Sequence, residues 1–138
     1  MSLGRKVSKD VLELHEADQR LAGTLRDRLL DASEAEREFR AAQARTAPAA
    51  EQRELAIRFD KALTEALATA EAAERVAMGT KTYTTGAQDP KTHRAAEIAA
   101  RKARAKWAVR PFSEEVTRLR TAREAHRLSL KIGPQVAV

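Results

Sequence analysis

The chain has 138 residues and a formal net charge of +6, with no cysteine, one tryptophan and one tyrosine. That length holds one domain, and the lack of cysteine excludes disulfides, thiolate catalysis and every Cys-based metal site. No apolar run is long enough for a transmembrane helix.

Of the 43% hydrophobic residues, half are alanine, and Leu, Ile, Val and Phe together make up only 26 of the 138 positions. Alanine is the strongest helix former. The composition therefore predicts an all-α protein of long helices with thin seams, which need neighbours from the same chain or from other copies. The opening Met1-Ser2-Leu3-Gly4 is too short and too quickly charged for a secretory leader, so the expected location is cytoplasmic, or a virion if the gene is viral. Charge is uneven: residues 91–138 carry 12 Lys/Arg against 4 Asp/Glu, a net +8, while residues 1–90 sum to −2.

From Val7 to Phe39 one stripe recurs through Val11, Leu14, Asp18, Leu21, Leu25, Leu29, Ala32 and Glu36. Its steps of three and four, with a stutter at Leu25 to Leu29, describe a coiled-coil-like seam on one helix over about residues 5–45. Such a helix would be about 60 Å long. Ser8 is a candidate cap, Gly23 reads as a tolerated surface position, and Pro48 ends the segment. Asp18 and Glu36 interrupt the stripe, which places them at a wet end of the seam, or has them fix register or meet a basic residue on a partner.

A second helix is expected over 48–78, with a stripe of Leu55, Phe59, Ala62, Ala66, Ala70, Ala73 and Ala77, ending at Gly79. The short Thr46-Ala47-Pro48 connection makes it antiparallel to the first. The predicted fold is thus an elongated helical hairpin followed by a basic helical third, all within one helical domain spanning 1–138. Residues 79–90 read as a loop that is a possible recognition element. Asp89 caps a third helix over 90–110 with Pro90 in its first turn; Pro111 interrupts it; and a fourth helix, capped by Ser113, runs over 113–131 before Gly133-Pro134.

Catalysis has little support. His15, His93 and His126 fall on separate predicted helices without a second histidine three or four residues away, and read as surface side chains. Gly86-Ala87-Gln88-Asp89-Pro90-Lys91-Thr92 fails as a phosphate loop because Pro90 stands where a backbone N–H is needed. The carboxylates at Glu34, Glu36, Glu38, Glu71 and Glu74 form a solvated face, since a thin helical array rarely builds a pocket. No cofactor, metal, small-molecule substrate or membrane partner is implied.

Two functions from different classes follow. The first is a non-enzymatic structural or assembly subunit of a bacterial or bacteriophage complex, acting by helix–helix contact through Leu14, Leu21, Leu25, Leu29, Phe39, Phe59 and Trp107. The alternative is sequence-independent nucleic-acid binding, with Arg94, Arg101, Lys102, Arg104, Lys106 and Arg110 neutralising phosphates. Trp107, in line with Ala96, Ala100 and Ala103, is read as a packing or interface anchor in preference to a base stacker.

Overall fold

The computed structural model describes the backbone of residues 7–136 and the side chains of residues 7–131. Met1-Ser2-Leu3-Gly4 and the side chains of the apolar end Gln135–Val138 lie outside the described residues. The chain is all-α, with five packed helices among the described residues: α1 Lys9–Ala22, α2 Leu25–Ala44, α3 Ala49–Met78, α4 Pro90–Arg104 and α5 Arg110–Val136, with a 3-10 turn at Thr80–Thr82.

The single first helix of the sequence reading is two. Ser8 caps α1 by accepting from Val11 N at 3.2 Å, as its sequence position indicates. The helix then breaks at Gly23-Thr24, where the Thr24 hydroxyl donates to the Leu21 carbonyl at 2.7 Å and its N–H turns to the same carbonyl. A glycine beside a threonine that hydrogen-bonds its own preceding turn removes much of the helical preference at one place. So Gly23 belongs to a break in the helix and is more than a tolerated surface position.

α2 closes on α3 through a tight C-terminal motif. Ala47 N donates to the Ala42 carbonyl at 2.9 Å and Thr46 N to that of Gln43 at 3.1 Å, with Thr46 at φ 52°. This Schellman arrangement usually has glycine at the left-handed position. Pro48 follows as the residue before α3. The reversal lays α2 antiparallel along α3, where Phe39 meets Phe59 with ring centroids 6.4 Å apart. The interior of this pair is Ala32, Ala35, Phe39, Phe59, Ala66 and Ala70, while Leu25, Leu29 and Leu55 are partly buried against it. Ala35 takes the place the sequence reading gave to Glu36, which is exposed and lies 3.9 Å from Arg40.

α3 is buried on two faces, and this departs from a hairpin with a basic helix attached. Ala56, Leu63 and Leu67 form a second stripe beside Phe59, Ala66 and Ala70. Against it α5 presents Val116 and Leu119, and runs antiparallel to α3 through Ser113 to Glu74, Arg120 to Glu71 and Arg127 to Asp60. His126, expected at the surface, is 4% exposed and sits between Phe39 and Phe59, its Nε2 donating to the Ala56 carbonyl at 2.8 Å.

The join between α4 and α5 also falls elsewhere than expected. α4 ends at Arg104, residues 105–109 form a turn, and Pro111 lies inside the first turn of α5. Proline has no N–H to lose there, so it starts the helix it was expected to precede. Ser113 does not cap; its hydroxyl donates to Glu74 at 2.6 Å. The helix continues through Gly133-Pro134 to Val136.

Candidate functional site

α4 is positioned by its cap and by small residues. Asp89 accepts from Thr92 N at 2.7 Å, and this bond, with those from Lys91 and the Thr92 hydroxyl, holds its carboxyl below the usual range. Ala96 and Ala103 are buried on the inner face, so α4 lies close on the 3-10 turn and the end of α3. The remaining faces carry the charge. Arg94, Arg101, Lys102, Arg104, Lys106 and Arg110 are all exposed.

None of these six has a carboxylate within 4.0 Å among the described residues, whereas Arg28, Arg37, Arg40, Arg45, Arg58, Arg75, Arg118, Arg120 and Arg127 all do. The basic candidates are therefore gathered in one region of uncompensated charge, which raises the local positive potential. Trp107 stands within it at 83% exposure, while Val109, two residues on, is 1% exposed and pins the turn. Within this chain Trp107 is not a core anchor. The helical line from Ala96 through Ala103 does not reach it, because α4 stops at Arg104.

The other interface candidates divide. Phe39 and Phe59 are interior, Leu25 and Leu29 are half-buried against the same core, and Leu14 and Leu21 are 46% and 38% exposed on α1.

Beneath α4 lies a polar group, built on the buried Asp18 and Tyr83 and the half-exposed Arg75, that joins α1, α3 and the segment after α3. Arg75 donates to both oxygens of Asp18, from Nε at 2.8 Å and Nη2 at 2.9 Å, and the Tyr83 hydroxyl donates to the same carboxylate at 2.6 Å. Because the Tyr83 proton is directed at Asp18, the His15 Nδ1 contact at 3.4 Å places the phenolic oxygen as acceptor. Burial pushes the Asp18 carboxyl up, but the bonds from Arg75 and Tyr83 and the charges of Arg75 and His15 outweigh it and leave it below its ordinary value. Burial, then the bond to Asp18 and its charge, push Tyr83 well above the ordinary tyrosine range. Of the two positions that interrupt the first stripe, Asp18 does face a basic residue, and that residue is in its own chain.

The same elements enclose a half-open cleft of about 490 Å³, lined by the apolar Leu14, Met78 and Ala100, by Arg75, Arg101 and Arg104, and by Asp18, Thr82, Tyr83, Thr84 and Glu97. A thin helical array was expected to lack such a concavity; it arises because residues 79–89 and α4 fold over the open end of α1 and α3. The sequence signals for it were Asp18 in an apolar stripe and the single tyrosine in a break. Arg75 carried no pattern of its own.

Among the described residues no group of three or more His, Asp or Glu side chains is placed to hold a metal ion, and no helix is long and apolar enough to cross a membrane. No known protein family, curated protein or solved structure matches the chain. The fold and site thus define a small all-helical protein with one strongly basic region, whose six exposed arginines and lysines have no carboxylate within 4.0 Å among the described residues.

Proposed function

We propose that the protein is a non-enzymatic nucleic-acid-binding protein that holds phosphate backbones on α4 and the turn after it, without reading sequence. The observation that carries this is the cluster of six exposed basic side chains without acidic partners around an exposed Trp107. Internal pairing leaves most other arginines little surplus charge, so an acidic polymer gains most at this region. Trp107 adds a flat apolar face on which a base can stack.

Lys106→Glu with Arg110→Glu tests the reading. Affinity for duplex and single strands of unrelated sequence should fall together, since phosphates and not base edges are contacted. Unchanged retention of every strand would refute it.

The assembly-subunit reading keeps one specific support: Leu14 and Leu21 lie seven residues apart on one line of α1 and are both substantially exposed, which suits a helix from a neighbour or a second copy. Light scattering coupled to size exclusion discriminates. A concentration-dependent oligomer abolished by Leu14→Ser with Leu21→Ser would favour assembly, and a monomer at all concentrations would remove it.

A further inference from the structure

We infer that the cleft between α1, α3, the 79–89 segment and α4 binds a phosphorylated organic ligand of mononucleotide size. Arg101 and Arg104 would hold the phosphate, and the side chains of Leu14, Met78 and Ala100 would contact the apolar body. This departs from the expectation of no small-molecule ligand, and it shares Arg101 and Arg104 with the surface reading but rests on a concavity.

The volume, about 490 Å³, lies within the range of small-ligand sites and is large for a bare phosphate. The lining is mixed as an amphiphilic ligand requires: α3 and α4 each bring an apolar and a cationic residue three or four positions apart, Met78 with Arg75 and Ala100 with Arg104. The charges inside it are not equal. Asp18 is fully engaged by Arg75 and Tyr83, and Glu97 is held by His93 at 2.6 Å. Arg101 and Arg104 have no such partner among the described residues, and each guanidinium offers a fork of donors that fits phosphate oxygens. Arg75 contributes its remaining edge, since only Nε and Nη2 are used on Asp18. The Thr84 side chain, exposed on the rim, supplies a hydroxyl for a ribose or phosphate oxygen.

The source of such a group is either a free nucleotide or one unit of a bound strand, and the test separates the two. Adenosine monophosphate, inorganic phosphate and adenosine are titrated calorimetrically into the full chain at low salt. The monophosphate should bind at least about tenfold tighter than either part alone, because the cationic and the apolar lining are both needed. Arg101→Ala with Arg104→Ala should weaken it by about tenfold or more with an unchanged melting temperature. Glu97→Gln should tighten it, as a carboxylate beside the anion is removed. Arg26→Ala with Lys61→Ala, which removes the same charge from exposed positions outside the cleft, should leave it unchanged.

Binding of the monophosphate no tighter than phosphate would overturn the inference. So would equal weakening by the two double variants, which would reduce the effect to net charge. Competition by an oligonucleotide identifies the source: displacement of the monophosphate assigns the cleft to a unit of the strand, and simultaneous binding assigns it to a free nucleotide. Nucleotide binding that survives while oligonucleotide affinity is indifferent to Lys106→Glu with Arg110→Glu would uphold the cleft and refute the surface.

Discussion

Replacing Arg75 by methionine should destabilise the fold more than replacing Asp18 by asparagine, although both remove the same ion pair. Arg75→Met leaves the Asp18 carboxylate, 12% exposed at its side chain, with Tyr83 as its remaining strong donor. Removing one partner of a fully buried pair costs about 3 to 5 kcal/mol, whereas an exposed pair is worth about 0 to 1 kcal/mol. The Arg75 side chain is 46% exposed, so water replaces part of what is lost and the expected cost is about 2 kcal/mol. Asp18→Asn leaves a cation that can reach solvent and an amide oxygen that can still accept from Tyr83, for a cost of about 1 kcal/mol. For a chain of this length those figures correspond to melting temperatures lower by about 7 °C and about 3 °C. Thermal denaturation followed by circular dichroism, with a double-mutant cycle, measures both. The pH dependence has a definite sign. The Asp18 carboxyl is depressed in the fold, so its contribution is whole above the ordinary 3.8 and lost as pH falls through its lower folded value. Asp18→Asn should therefore remove part of the acid limb of the stability curve. Equal costs for the two variants, or an acid limb unaltered by Asp18→Asn, would refute the description of this carboxylate as the buried member of the pair.

Thr46→Gly should stabilise the protein by about 0.5 to 1 kcal/mol in chemical denaturation, because a β-branched residue at φ 52° is strained and Thr46 is exposed with little contact to lose. Tyr83 is the sole tyrosine, so ultraviolet titration of phenolate absorbance reports it alone; ionisation should be delayed beyond the ordinary 10.0 until the fold opens. Its raised value means that this stabilisation is whole below 10.0 and is lost as pH rises through the folded value. Trp107→Ala should change stability by less than about 0.5 kcal/mol, and Trp107 emission should be that of a solvated indole in the free protein and be quenched by single-stranded DNA.

The α2–α3 pairing was legible because its stripes of Phe39 and Phe59 with alanines at helical spacing demand a partner and Pro48 carries a local backbone rule, and the start of α4 was legible from the Asp89-Pro90 pair. The break at Gly23-Thr24 was marked in the sequence by the stutter, but the stutter falls at Leu25 to Leu29. It shows that the seam shifts without showing that the helix stops. The third long packing partner was hidden for another reason. On α5, Val116, Leu119 and Ala122 are separated by Arg118, Arg120 and Arg123, and the stripe ends on a histidine, so its apolar content is low even though His126 is buried. Trp107 was misplaced by extending the α4 periodicity beyond Arg104, where nothing in the local sequence marks the turn. The basic candidates were legible as charge, but their lack of acidic partners is a property of the packed chain. The cleft left no trace in the sequence beyond Asp18 in an apolar stripe and the tyrosine in a break, because Leu14, Arg75, Tyr83 and Arg101 come together only when residues 79–89 fold over the ends of α1 and α3.

The most direct test of the nucleic-acid reading is the salt dependence of wild-type binding to a duplex of arbitrary sequence. If α4 and its turn neutralise about three to five phosphates, log affinity should fall linearly with log salt concentration at a slope of about −3 to −4.5. A slope near zero, or no binding at low salt, would contradict it.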